Sequence, residues 1–160
     1  MAELRFGLGF DAHPRDESRA LFLGGLRWED EPGLAGHSDG DVVCHALADA
    51  VLGAAALGDL GDHFPESAPE LAGVAGPELL RRAADLVRGA GFVPHQLDVV
   101  VLAARPIIGP RREEMRTALS DALALPEERI SVKATRPEGL GLSGDGAACL
   151  ALAVLAPRAT

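Results

Sequence analysis

The sequence predicts a single α/β (α+β) domain over residues 1–160, with helices layered on one face of a mixed four-stranded sheet and a small hairpin beside it. Three observations predict this architecture. The chain has 160 residues, a length typical of one domain. Segments with strand character are separated by segments with helix character. No internal repeat or low-complexity linker divides the chain.

Four segments predict the strands of the sheet. Residues 4–13 alternate apolar and other residue types and include Gly7 and Gly9, which is typical of a strand that closely approaches backbone or ligand. Residues 96–104 end in a valine-rich run suited to a buried strand, and residues 130–135 form a further strand. Residues 147–155 are continuously apolar, so periodicity does not distinguish a strand from a buried helix. The short length of this run favours a strand.

The residues between the first strand and the first helix predict a loop and a hairpin. Residues 14–20 are polar, which predicts a loop. The apolar stretch 21–28 is interrupted by Gly24 and Gly25, which predicts a hairpin with the glycines at its turn.

Three segments predict helices: residues 41–57, 76–90 and 112–124. Ser38 or Asp39 can cap the first helix, and its start would present free backbone amides to a phosphate. The second helix is amphipathic and is ended by Gly91. Residues 58–65, rich in Gly and Asp, predict a turn between these helices.

A set of metal-ligating residue types converges on the first strand and first helix. The strand period of two places Asp11 and His13 on one face, while a spacing of four places Asp41, His45 and Asp49 on one helix face. A lone histidine, or the Asp11 and His13 pair alone, is explained as well by a structural role as by metal binding. One aspartate and two histidines with an open fourth position, however, are typical of a catalytic zinc site. We expect a neighbouring carboxylate, with Asp49 as the candidate, to orient the other ring nitrogen of His45.

The composition excludes several classes of partner. The net charge is −9 and no basic tract is present, which argues against nucleic acid or an acidic membrane surface. An anionic substrate would therefore depend on metals, helix N-termini and a few placed cations. Cys44 and Cys149 have no metal-ligand spacing, which predicts buried thiols in a reducing compartment. The N-terminus lacks a signal-peptide pattern, so we expect a cytoplasmic protein.

Three segments closely resemble the 2-C-methyl-D-erythritol 2,4-cyclodiphosphate synthase family of the non-mevalonate isoprenoid pathway. They are GFDAH, HSDGDVVCHALADAVLGAAALGDLGDHFP and KATRPEGLG. The resemblance implies a homotrimeric phosphorus–oxygen lyase with active sites between adjacent subunits. Its substrate would be 4-diphosphocytidyl-2-C-methyl-D-erythritol 2-phosphate, whose 2-phosphate attacks the β-phosphorus and expels CMP.

The resemblance also implies roles for individual residues. Zinc would be held by Asp11, His13 and His45, and Glu138 would help hold magnesium or manganese across the diphosphate. His37 would be catalytic. Residues 59–61 would bind the erythritol hydroxyls, and residues 103–109 of a neighbouring subunit would form the cytosine pocket. The implied substrate-binding residues are Asp11, His13, His37, Ser38, Asp59, Leu60, Gly61, Phe64, Pro65, Glu66, Ala103, Ala104, Arg105, Pro106, Gly109, Thr135, Arg136, Pro137, Glu138 and Leu142.

Two positions depart from the pattern of the family. Arg136 replaces a threonine credited with polarising the attacked phosphate, and we hypothesise that its guanidinium takes over that catalytic role. Asp145 stands where members that bind an isoprenoid diphosphate in the trimer's central cavity often carry arginine, so we expect that ligand site to be missing.

Two other functions remain open from the residues alone. The same ligand set also holds non-haem Fe(II) for oxygen chemistry. A trimeric binding protein with a purely structural metal is the other alternative, although structural zinc sites are usually closed and rich in cysteine.

Overall fold

A computed structural model describes residues 3–65, 67–141 and 145–159 and shows one α+β domain. Its helices pack against a mixed sheet, as the sequence predicted. The strands are Arg5–Leu23 (β1), Leu26–Leu34 (β2), Phe92–Ala103 (β3), Ile130–Thr135 (β4) and Gly146–Pro157 (β5). The helices are Val42–Ala54 (α1), Leu60–His63 (α2), Gly76–Gly89 (α3) and Arg112–Leu123 (α4), and short 3-10 turns cover Pro69–Leu71, Gly109–Arg111 and Glu127–Arg129.

The sheet has five strands in the order β2-β1-β5-β3-β4. Only the β3–β4 pair is parallel among these neighbours. The predictions of a four-stranded sheet and of a loop over residues 14–20 are therefore wrong. Strand β1 pairs with β5 as far as Pro14 and then continues along β2, with register shifts between Asp16 and Leu21. The polar side chains of this segment hide its strand character, because its backbone is paired while many of its side chains face solvent.

Helix α1 lies directly on β1. A Cβ added at Gly7 or Gly9 would overlap the carbonyl oxygens of Ala50 and Ala46 of α1. The prediction that these glycines mark a close backbone approach is thus confirmed. The odd-numbered residues of this part of β1 face the helix, and this alternation brings the strand's potential ligands towards α1.

The start of α1 is organised by Asp41, which is fully buried. Asp41, and not Ser38 or Asp39, is the N-cap, and its carboxylate accepts hydrogen bonds from two first-turn amides of α1. It also accepts from the amides of Gly24 and Gly25 in the β1–β2 turn, at 2.9 and 2.7 Å. Asp41 therefore ties the hairpin turn to α1. These first-turn amides are consequently not available to a phosphate.

The helices lie close to their predicted positions, with two corrections. Helix α1 ends at Ala54 and not at residue 57, because Ala56 adopts a left-handed conformation. The predicted turn over residues 58–65 contains the one-turn helix α2, which Asp59 caps by accepting from the amide of Asp62 at 2.9 Å. Within the described ranges, no helix is long and apolar enough to span a membrane.

The face of the sheet opposite α1 is apolar and exposed. We call it the outer sheet face, and its large residues are Phe6, Leu8 and Phe10 of β1 and Leu150 and Leu152 of β5. Leu8 pairs with Leu152 and Phe10 with Leu150 across the two strands. These side chains are 36–70% exposed, so they form a continuous patch of the kind that marks an interaction surface.

Candidate metal centre and active site

Three metal-ligating side chains meet between β1 and α1. The Asp11 Oδ2 atom lies 3.0 Å from His13 Nε2 and 3.1 Å from His45 Nδ1. One ligand atom from each residue lies within 4.8 Å of the other two. The amide of Ala12 donates to Asp11 Oδ1 at 3.0 Å, which leaves Oδ2 directed at the imidazoles. The donor set of one carboxylate and two imidazoles suits a divalent transition metal.

The contacts within the cluster shift the pKa values of Asp11 and His45 in opposite directions. Burial acts to raise the pKa of Asp11, but hydrogen bonds from His13 and His45 outweigh it and hold that pKa well below its ordinary value. Burial likewise acts to lower the pKa of His45, but the hydrogen bond with Asp11 and its charge raise it overall. The carboxylate thus favours a positive charge beside it, and a metal ion would displace the imidazole proton.

The second ring nitrogen of His45 is oriented by a hydroxyl group. Ser38 Oγ lies 2.9 Å from His45 Nε2, and Ser38 and His45 are only 8% and 6% exposed. The prediction of a carboxylate partner is therefore wrong. Asp49 instead accepts a hydrogen bond from the amide of Leu60 at 2.7 Å and connects α1 to α2. The predicted common face holds for His45 and Asp49, which both line the cavity beside the cluster, but not for Asp41, which precedes the helix as its N-cap.

A cavity of about 190 Å³ opens in front of the cluster. His37, Ser38 and Asp49 line it beside the three ligands, and Leu60, Gly61 and Phe64 line it from the segment around α2. Its apolar wall also includes residues that sequence reasoning missed, namely Leu71, Val74 and Leu79. The only signal for them is the occurrence of apolar residues within the otherwise polar stretch 66–75 and on the buried side of α3.

The other residues expected around the erythritol unit lie outside this lining. Asp59 is exposed and its carboxylate caps α2. Pro65 is exposed, and Glu66 lies outside the described residues. The structure thus places Leu60, Gly61 and Phe64, but not Asp59 or Pro65, at the cavity wall.

A second cavity of about 210 Å³ lies where β3 and β4 end. It brings together residues that sequence reasoning singled out, namely Ala103, Pro106, Gly109, Thr135 and Arg136. Arg112, at the start of α4, also lines it and was missed, because its sequence context is that of an ordinary exposed helix residue. Ala104 and Arg105 are exposed and lie outside the lining. The two cavities share no lining residue within the described ranges.

The loop after β4 carries the last group of predicted residues. Pro137 is half-buried and Glu138 is exposed, and neither lines either cavity. Glu138 does not join the cluster around Asp11. Leu142 lies outside the described residues. The backbone carbonyl of Asp145 accepts from the amide of Arg15 at 2.6 Å, which anchors the end of this loop to β1.

Comparison with known proteins identifies chains similar to this one along most of its length. A curated 2-C-methyl-D-erythritol 2,4-cyclodiphosphate synthase of Salinibacter ruber is 49% identical over 88% of this chain and 90% of its own length. The bifunctional IspDF structure from Campylobacter jejuni superposes with a TM-score of 0.92 at 40% identity, covering 98% of this chain and 43% of that one. A structure of 2C-methyl-D-erythritol-2,4-cyclodiphosphate synthase in its CDP-bound form has a TM-score of 0.87 at 38% identity, over 94% and 99% of the two chains. The YgbB family model matches residues 4–156, and the chain therefore belongs to the YgbB family.

Proposed function

We propose that this protein converts 4-diphosphocytidyl-2-C-methyl-D-erythritol 2-phosphate to 2-C-methyl-D-erythritol 2,4-cyclodiphosphate and releases CMP. The observation that carries the proposal is the cluster of Asp11, His13 and His45 facing a cavity that His37 also lines. Near full-length similarity to a cyclodiphosphate synthase supports it. An oxygen of the 2-phosphate would attack the β-phosphorus, and the bond from that phosphorus to the oxygen bridging to the α-phosphate would break.

The lining of the first cavity fits a reaction that needs no protein nucleophile. The attacking group is already an anionic phosphate, so the protein must chiefly position it and neutralise charge. The one hydroxyl among the lining residues belongs to Ser38 and is engaged with His45. His37 is exposed, so its imidazole is accessible to a phosphate and would stabilise charge that develops on it.

We propose that Asp11, His13 and His45 hold zinc. Three protein ligands of these types, with room for a substrate oxygen as the fourth, match catalytic zinc chemistry. A zinc ion bound there would supply Lewis-acid polarisation of a phosphate oxygen. Glu138 would help hold magnesium or manganese on the diphosphate, since its exposed carboxylate is an oxygen ligand of the kind these ions prefer.

We further propose a homotrimer in which each active site lies between adjacent subunits. Two observations support it: the exposed outer sheet face, and the separation of the two cavities within one chain. The cavity formed by Ala103, Pro106, Gly109 and Thr135 would bind the cytosine of a substrate held by the neighbouring subunit's metal cluster. Two buried free thiols, Cys44 and Cys149, support a cytoplasmic location for this assembly.

The catalytic role of Arg136 is a separate proposal. Arg136 is exposed and lines the second cavity beside Thr135, so its guanidinium would reach phosphate oxygens of the bound diphosphate. Turnover should fall strongly in Arg136→Ala as well as in His37→Ala. Unchanged turnover in Arg136→Ala, with activity abolished in His37→Ala, would remove Arg136 from the mechanism.

The decisive experiment incubates the purified protein with the diphosphocytidyl substrate, zinc and magnesium. Phosphorus NMR should show the resonances of the cyclic diphosphate together with CMP, with or without oxygen. His95→Ala is a matched control. His95 lies on β3, is hydrogen-bonded to Arg129 and lines neither cavity. If the wild-type protein forms no cyclic product, the proposed function is wrong. CMP release that depends on oxygen would instead favour iron chemistry.

A further inference from the structure

We propose that Arg19 is a positioning residue that holds His37 in place. Arg19 lies in the irregular part of β1, within the register shift between Asp16 and Ala20 in the pairing with β2. Its Nη1 atom donates to the carbonyl oxygen of Gly36, and its Nη2 atom donates to the carbonyl oxygen of Ser38. The guanidinium therefore spans His37 and bonds to the residue on each side of it. The inference rests on the proposed function only in assigning His37 to the substrate phosphate.

The loop that carries His37 is held from two sides. On the side away from Arg19, the amide of Gly73 donates to the carbonyl of His37 at 2.9 Å, and the amide of Asp39 donates to the carbonyl of Val74 at 3.2 Å. On the β1 side, Arg19 supplies the only hydrogen bonds to the Gly36 and Ser38 carbonyls within the described ranges. The amide of Ala35 also donates to the carbonyl of Pro14 at 2.9 Å, where the loop begins. Removal of Arg19 would leave residues 36–38 held mainly through Gly73 and Val74, so those remaining hydrogen bonds would open more often.

The same loop also contacts two of the three metal-ligating residues. Ser38 Oγ bonds to His45, and a Cβ added at Gly36 would lie 3.2 Å from Cε1 of the His13 ring. His37 therefore lies between Gly36, which is close to His13, and Ser38, which bonds to His45. Small displacements of the loop would move the His37 imidazole relative to a substrate held at that cluster.

The geometry requires an arginine and not just a positive charge. Two carbonyls separated by one residue need two donors at a fixed spacing, which the planar guanidinium fork provides. A lysine ammonium is a point charge on a flexible stem and would bond well to only one of them. Arg19→Lys should accordingly retain part of the positioning and Arg19→Ala almost none.

The first test measures turnover of the full-length zinc-loaded enzyme. Because a misplacement of about 1 Å can cost about 100-fold in rate, kcat of Arg19→Ala should fall about 10- to 100-fold. KM should change much less, since the lost contact acts mainly in the transition state. Added guanidinium ion should restore part of the rate, and Arg19→Lys should be intermediate. Arg81→Ala, which removes an exposed guanidinium on α3, should behave as wild type.

Two results would overturn the proposal. One is an unchanged kcat in Arg19→Ala. The other is a loss of activity that neither guanidinium nor the lysine variant relieves, because that result would mean a general structural defect.

A second test does not depend on activity. In Arg19→Ala, amide hydrogen exchange should accelerate at Asp39 and Gly73 and stay unchanged through α1. Equal exchange in the two proteins would contradict the positioning role even if the wild type is active. If the wild type were inactive, the proposed function would be wrong, but the exchange measurement would still test the role of Arg19.

Discussion

The hydrogen bond between Ser38 and His45 makes a quantitative prediction about metal affinity. Both residues are at least nine-tenths buried. With a metal ion bound at Nδ1, which faces Asp11, Nε2 of His45 carries the proton, and Ser38→Ala leaves this N–H without its hydroxyl partner. An unsatisfied buried donor costs about 1–3 kcal/mol. At about 1.4 kcal/mol for each factor of ten, this cost corresponds to about 5- to 140-fold weaker binding. That range brackets the 10- to 100-fold typical of residues that orient metal-ligating histidines.

The assay is competition for zinc between the metal-free protein and a chromophoric chelator. Ser38→Thr keeps a hydroxyl and should lose less affinity than Ser38→Ala. Ser18→Ala is the matched control, because its hydroxyl is exposed and bonds only to Asp16 among the described contacts. If the zinc affinity of Ser38→Ala were within about twofold of that of the wild type, a group other than Ser38 would fix the tautomer of His45. Ser38 would then be free for the phosphate contact that the family resemblance implies.

Three further predictions concern assembly, packing and pH. Leu8 is 70% exposed on the outer sheet face, and Leu8→Asp places a charge there. Light scattering should then show monomers in place of the proposed trimer. The control Leu86→Asp on α3 should leave the assembly unchanged. Gly9→Ala forces a methyl group into α1 and should cost about 1–3 kcal/mol, seen as a lower melting temperature. Gly89 has open space around it, so Gly89→Ala should leave the melting temperature unchanged. The raised pKa of His45 stabilises the metal-free protein below the unfolded value of about 6.5. Its free energy of unfolding in urea should therefore fall as the pH rises through the folded pKa, and bound zinc should reverse this trend. Stability that instead rises with pH in the metal-free protein would contradict this.

Sequence reasoning predicted the fold well where a single physical signal dominates. Gly7 and Gly9 alternate with large apolar residues, and only a strand packed tightly against another element uses that pattern well. Residues 14–20 show the limit of this reasoning. Their side chains are polar because many face solvent, while their backbone pairs within the sheet. Backbone pairing leaves no trace in composition, so hydropathy predicted the hairpin at Gly24 and Gly25 but not the long course of β1 that joins this hairpin to the sheet.

The candidate site divides in a similar way. Asp11, His13 and His45 were predictable because strand and helix periodicities fix the directions of their side chains. The partner of His45 was not, because a serine hydroxyl and a carboxylate at similar sequence distance are equally good candidates until the loop path is known. Arg19 is still less visible from sequence. Its side chain reaches two carbonyls from a stretch of β1 in which the pairing register shifts, and such shifts depend on strand pairing and not on residue type.

Strand β1 connects the chemistry of the cluster to the assembly of the protein. Its odd-numbered residues Asp11 and His13 face α1 and the first cavity, whereas its even-numbered residues Leu8 and Phe10 belong to the outer sheet face. The period of two therefore places metal ligands and association surface on opposite sides of one rigid element. A perturbation of the outer face would leave metal binding within each chain intact. Under the trimer proposal it would still abolish turnover, because the cavity at residues 103–109 reaches the metal cluster only across a subunit boundary.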